Sequence, residues 1–444
     1  GFISGIRRCT PFGLITPTFF LINETIQLTM KRQITRRDFL TKSIGVGLGI
    51  SVITDKAYSL ISCDHSGNGG HRQVPLIRKG EKQLFADDVM IARLFNVKRR
   101  VHPASKLDQP VLEADMPWET SDRFCEKDRR IYIYGTVLRD SGTGLFNMWY
   151  NRYKDNYFAV SNDGISWQRP NLGLLGDNNK IPLFDFHSPS IILDKWATDP
   201  AKRYQAIGSK GGCSAAYSPD GLRWTLYPRN PVFESDDTMT LAQDPKSGEY
   251  LAFHKSRSKE AVGRQVALAV SKDMQNWSKS ELVMVTDEID HQEARLLEGG
   301  THSEFYNMSA FPYGNQWLGL VTLFRRTGVP KILRGAGQSK AEGPIDVRLV
   351  HSRDGRKWER CSDRSPVIGL GPHHYDSGSI LGLCNSPVIV GDEMWMYYTA
   401  MTTTHGGYLP DKELSIARAA WRLDGMVSMC AGDERGSIET GSFK

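Results

Sequence analysis

The chain has 444 residues, 40% hydrophobic and 24% charged, with a formal charge of +6. Its basic excess sits in residues 1–62, where eight Lys or Arg face three Asp or Glu; the remaining 48 basic and 47 acidic residues nearly cancel. That balance argues against nucleic acid as a partner, which calls for a concentrated basic stripe. Seven widely spaced cysteines with no CxxC pair argue against structural zinc.

The first predicted element is a targeting segment over residues 30–63. Residues 35–42 (TRRDFLTK) form a twin-arginine signal, followed at 43–53 by an apolar run too short to span a bilayer. Met30 reads as a natural start, with residues 1–29 as upstream sequence. Residues 60–63 (LISC) resemble a lipobox, so membrane attachment is expected only through the signal or a lipid on Cys63. The reading implies export to the periplasm, the cell surface or the medium. Residues 64–81, rich in Gly, form a linker.

From residue 82 onward short strands alternate with turns and helical periodicity is nearly absent, so the fold class is all-β. One phrase recurs four times: AVSNDGISW at 159–167, AYSPDGLRW at 216–224, AVSKDMQNW at 269–277 and VHSRDGRKW at 350–358. Each reads as a strand, a tight Asp-Gly or Asp-Met turn, and a strand opened by Trp. Gly supplies the positive φ and Asp bonds its own turn backbone. Asp163, Asp220, Asp273 and Asp354 are therefore structural. An aromatic strand precedes each phrase, and another apolar segment precedes that strand, so each unit has four strands. Residues 394–399 (MWMYYT) and 414–421 form a degenerate fifth copy. Five such units predict a five-bladed β-propeller of four-stranded antiparallel blades over residues 82–425. Residues 82–101 are expected to lend a strand to the last blade, and residues 426–444 to begin a truncated C-terminal β segment.

The chain then has to cross from the rim of each blade to the innermost strand of the next. These crossings carry Trp118 and Glu119; Asp185 and His187; Glu234, Asp236 and Asp237; His302, Glu304 and Tyr306; and His373, His374, Tyr375 and Asp376. Polar groups placed there converge on a central funnel. Crowded carboxylates split their pKa values, leaving one protonated and one ionised, as glycosidic cleavage requires. Trp118 and Tyr306 offer stacking surfaces for a sugar ring. His405 reaches the same rim, and the basic loop at 325–346, led by Arg325, covers it and suits an acidic sugar substituent.

The S-x-D-G-x-x-W hairpins, Pro117-Trp118-Glu119, and Tyr397-Tyr398 followed by His405-Gly406 resemble the five-bladed glycoside hydrolase superfamily that includes families 32 and 43. That resemblance covers roughly residues 82–430. It implies an O-glycosyl hydrolase with three carboxylates on innermost strands: Glu119 or Asp122, Asp236 or Asp237, and Glu304, with Asp376 beside them. His302, Tyr306, Trp118, Arg325, His374 and His405 would then bind substrate. The Trp-Met-Asn-Asp-Pro-Asn-Gly motif of family 32 is absent, which leaves the acid and base roles open. No cofactor is required, and an axial Ca²⁺ is left open. The alternatives are a non-catalytic propeller that binds glycan or protein, a phosphorylase, or a sialidase-like enzyme using Arg123, Arg295 and Arg325.

Overall fold

The computed structural model describes residues 77, 81–121, 128–259, 261–330 and 338–441. The twin-arginine segment, Cys63, Asp122, Arg123 and Cys125 lie outside the described residues.

The described chain is all-β and built of four-stranded antiparallel sheets in sequence order. The first unit is Tyr132–Arg139, Phe146–Arg152, Asp155–Ser161 and Lys180–Ile181. The second is His187–Leu193, Tyr204–Ser209, Cys213–Ser218 and Thr225–Leu226. The third is Met239–Gln243, Tyr250–Arg257, Arg264–Ser271 and Glu281–Met284. A nine-stranded sheet follows, and a single parallel bridge between Ile345 and Ser379 divides it into two runs. The fourth unit is His302–Tyr313, Gln316–Arg326, Ile345–Ser352 and Trp358–Arg360. The fifth is Ser379–Leu383, Glu393–Met401, Leu414–Arg422 and Ser105–Lys106, with Val388–Val390 beside it. The opening strands of the five units neighbour one another in order, and that of the fifth returns to the first.

Both faces of each sheet are buried, as the period of two in a strand requires when neighbours cover both sides. Phe146, Met148 and Tyr150 enter one core cluster while Trp149 enters the next. The hairpin phrases join these layers. Asp163 Oδ1 accepts from the Ile165 and Ser166 amides at 2.8 and 2.7 Å, and Ser161 Oγ accepts from Gly164 N at 2.9 Å. The other three phrases repeat this bonding, which makes the four aspartates structural. Gly164 (φ +73) and Gly221 (φ +77) lie against aromatic rings of the preceding unit, where an added Cβ would stand 2.7 Å from Tyr397 Oη and 2.8 Å from Trp149 Cζ2. Those rings also donate: Trp149 Nε1 to the Gly221 carbonyl and Tyr397 Oη to the Gly164 carbonyl, each at 2.7 Å. The second of these bonds ties the fifth unit to the first.

Four expectations are corrected. The strand lent to the fifth unit is Ser105–Lys106, just beyond residues 82–101. Lys98–Val101 instead pairs with Val427–Cys430, and Ile91–Phe95 pairs with Ser437–Thr440. The described residues after 426 are therefore bound to the N-terminal strands and do not open a separate segment. One helix, Glu288–Arg295, was not anticipated; Asp287 and Asp290 form its capping box.

The fourth correction concerns Asp376, whose carboxylate partners lie within the fifth unit and not among Asp237, Glu304 or their cations. It is fully buried, 2.5 Å from Lys106 Nζ, and accepts from Tyr398 Oη at 2.9 Å. This pair fastens the lent strand. Removing one partner of a buried ion pair strands the other charge, at a cost of about 3–5 kcal/mol. Lys106→Ala is expected to lower unfolding free energy by that order in a denaturant titration. Adding Asp376→Asn to Lys106→Ala is expected to recover part of the loss.

Candidate functional site

Each crossing delivers polar groups, but only some gather in one cluster. Asp237 stands just before the opening strand of the third unit. Its carboxylate meets Lys255 Nζ, and its side chain is 52% exposed, so a ligand can reach it. His187, at the start of the second unit, donates from Nδ1 to the Asp237 carbonyl at 3.0 Å. The Tyr134 ring of the first unit lies 6.0 Å from the His187 ring.

Glu304 opens the fourth unit and is 3% exposed, which hides it from bulk solvent. Arg326 Nη1 at 2.8 Å, His302 Nε2 at 3.1 Å and Arg264 Nη1 all contact it. Gly263 (φ +71) makes room: an added Cβ would fall 2.5 Å from Glu304 Cγ. Tyr306 lies two residues on, with Lys255 Nζ 4.5 Å from its ring centre and Arg264 Cζ at 5.4 Å. The fifth unit contributes His405, whose Nδ1 donates to the Ala341 carbonyl at 3.0 Å and whose Nε2 is 3.4 Å from Tyr306 Oη.

The electrostatics follow from burial and neighbours. Burial raises the Glu304 carboxyl, but Arg264, Arg326 and His302 together outweigh it and hold the group below its ordinary range. Burial likewise raises Asp237, and Lys255, His187 and Arg264 more than offset it. Arg264 thus acts on both carboxylates. Burial pushes the Tyr134 and Tyr306 phenols up, and it pulls His405 far down with help from Lys412, Arg264 and Lys255. Near neutral pH the cluster holds two ionised carboxylates, protonated phenols and a neutral imidazole at His405.

Of the residues read from sequence, the structure brings together Asp237, Glu304, His302, Tyr306 and His405. Asp236 is adjacent but turns away, 3.3 Å from Arg257 Nε, into a cavity over the third unit. Glu119 is fully buried in the first unit, where Arg169 bonds both its oxygens at 2.7 and 2.8 Å and Tyr150 donates to it. It is a structural anchor there, as Asp376 is in the fifth unit. Trp118 Nε1 donates to Asn179 Oδ1 at 2.9 Å beside that anchor. Arg325 pairs with Asp346 at 2.6 Å, and Arg295 pairs with Glu288 on the helix; Arg123, the third arginine of the sialidase-like alternative, lies outside the described residues. His374 lines a 400 Å³ cavity with Asp108, Glu113, Asp115 and Glu413. Among the described residues no group of three or more His, Cys, Asp or Glu is arranged to hold a metal ion.

Lys255, Arg264 and Tyr134 were missed as site residues, while His187 was read from its crossing and Arg326 from the basic loop. The available signal was the polar ending of an otherwise apolar strand, His-Lys-Ser-Arg at 254–257.

No family model and no curated protein matches the chain. Solved structures do. A complex of BT0996 with RGII aligns over 73% of this chain and 93% of its own, at 13% identity and a TM-score of 0.48. The catalytic domain of a Coprinopsis cinerea GH62 α-L-arabinofuranosidase aligns over 72% and 97%, at 12% identity and a TM-score of 0.46. A member of the GH130 family of mannoside phosphorylases and glycoside hydrolases aligns over 73% and 98%, at 12% identity and a TM-score of 0.44. These are likenesses of fold.

Because the Glu304 pKa is lowered from 4.5, its contribution to stability is complete above that value and fades as pH falls through the lowered one. Glu304→Gln removes that contribution and leaves Arg264 and Arg326 without their carboxylate. In denaturant titrations the gap between wild type and Glu304→Gln is expected to be largest near pH 7 and to shrink as pH falls below 4.5. A gap constant with pH would show that the ion cluster is not its source.

Proposed function

We propose that the protein is a glycoside hydrolase built as a five-bladed β-propeller, acting on a poly- or oligosaccharide at the axial cluster. Support for the propeller comes from the five units and the ring of neighbouring opening strands. The observation that carries the activity is the gathering of reachable Asp237 and occluded Glu304 around Tyr306, over whose ring lie the cations that meet each carboxylate, Lys255 and Arg264. These carboxylates are delivered by two crossings of the ring and flanked by phenol and imidazole groups.

In this reading Asp237 is the ionised carboxylate that acts at the sugar, as nucleophile or as base on water. Lys255 and the carbonyl contact from His187 fix its position. Glu304 orients Arg264, Arg326 and His302 and does not touch the reacting bond. Both carboxylates are held ionised, so the proton for the leaving oxygen comes from another group. Tyr306, backed by Lys255 and Arg264, presents its ring edge and hydroxyl to the ligand.

The ionised state of both carboxylates also favours a second reading, in which the same face binds glycan without cleaving it. One variant separates the two. Asp237→Asn keeps the shape and removes the charge. On a panel of plant, algal and host polysaccharides with product analysis, it is expected to lose turnover by about 10²–10⁴-fold or more. Its thermal unfolding and glycan binding are expected to persist. Binding by the wild-type protein with no cleavage across the panel would select the second reading.

A further inference from the structure

Equivalent positions in the five units can be read from strand register. In the first unit Val160 bridges Gln168, and the next residue, Arg169, meets the crossing carboxylate Glu119. In the fifth, Ala420 pairs with Ser105, and the next residue, Lys106, meets Asp376. In the fourth, His351 pairs with Glu359, and the next residue, Arg360, meets Asp290 at 2.5 Å. In the second unit the wedge is filled by an apolar group: Phe186 lies so close over Gly208 that a Cβ there would stand 2.6 Å from the ring.

The third unit departs from this pattern. Val270 is bonded to Ser278, so the equivalent cation is Lys279. The second-strand position held by Tyr150 and Tyr398 in the first and fifth units is His254 here, set by its pairing with Ala267. Among the described residues no carboxylate pairs with Lys279, because Asp236 of the crossing turns to Arg257. A cavity of about 730 Å³ occupies the wedge, lined by Lys279, His254, Ser235, Asp236, Arg257 and Lys255. Ser235 Oγ is buried there without a hydrogen-bond partner. Lys255 both lines this cavity and meets Asp237, so one side chain borders the wedge and the cluster.

We propose that this open wedge is a second sugar subsite, taking a hydroxyl-rich residue that adjoins the one held at Asp237. Its donors and acceptors suit a polyol: an unpartnered serine hydroxyl, an unpaired ammonium and a carboxylate that has lone pairs to spare. The other four units fill the same position with their own side chains, so a ligand here completes packing that the chain leaves incomplete. The inference rests on the proposed glycan reading and names its substrate class: chains of two or more residues, recognised over the third unit.

The test uses Asp237→Asn protein with arabinan-, xylan- and galacturonan-derived oligosaccharides of one to four residues, titrated by calorimetry. Affinity is expected to rise at least tenfold from one residue to two or three for the sugar that binds. Lys279→Trp, which fills the wedge from an exposed position, is expected to abolish that rise and leave single-residue binding unchanged. Lys279→Ala is expected to weaken the longer ligands severalfold. Affinity independent of length, or insensitive to both Lys279 variants, overturns the proposal, as does failure of the whole panel to bind. A length-dependent, Lys279-sensitive affinity in a protein that cleaves nothing would retain the subsite while removing the enzyme reading.

Discussion

Every unit must fill the wedge that opens between its crossing and its outer strand. Most of the other features of this molecule follow from how that space is occupied. Burying a carboxylate there is tolerable only with a cation in contact, since an unpaired buried charge is costly. Glu119 with Arg169, Asp290 with Arg360, and Asp376 with Lys106 each meet that condition. Each pair also fixes where its crossing ends, and therefore where the next opening strand begins at the axis. The carboxylates of the crossings thus divide into two kinds. Glu119, Asp290 and Asp376 serve the wedge and Asp237 and Glu304 turn inward, the crossing into the fourth unit supplying one of each.

The inward group has its own balance. Lys255, Arg264 and Arg326 supply more positive charge than Asp237 and Glu304 remove, and this excess keeps both carboxylates ionised despite burial. Exposure then separates their roles. Glu304 is enclosed by three partners and serves as a fixed anion that aims its neighbours. Asp237 retains an open side and can meet a ligand. The charge that makes Asp237 chemically useful is therefore maintained by groups on strands of the third and fourth units, and its position by His187 of the second.

The hairpins were legible because their chemistry is local: Ser, Asp and Gly act on amides within a few residues, and the repeat exposes the pattern. The all-β class and the unit boundaries followed from the same signal. The division of carboxylates between wedge and axis was not legible, because it depends on distant cations. Lys106 is 270 positions from Asp376, and Arg169 is 50 from Glu119. Nothing in the composition of a crossing loop says whether such a partner waits beneath it. Glu119 and Asp376 were thus read as axial alongside Asp237 and Glu304. The short helix at Glu288–Arg295 was obscured by its length and polar composition, although its capping aspartates stood in the sequence.

In the proposed reading, function depends on the ring of opening strands gathering Asp237, Glu304, Tyr306 and His187 around one hollow that takes the sugar. A crystal structure of Asp237→Asn soaked with a polysaccharide fragment that the wild-type protein cleaves examines this directly. The expected density is a sugar ring against Tyr306 and His187, with a glycosidic oxygen beside residue 237 and the chain continuing over the third unit. Sugar bound only at the rim, with the hollow filled by protein side chains, would contradict that arrangement.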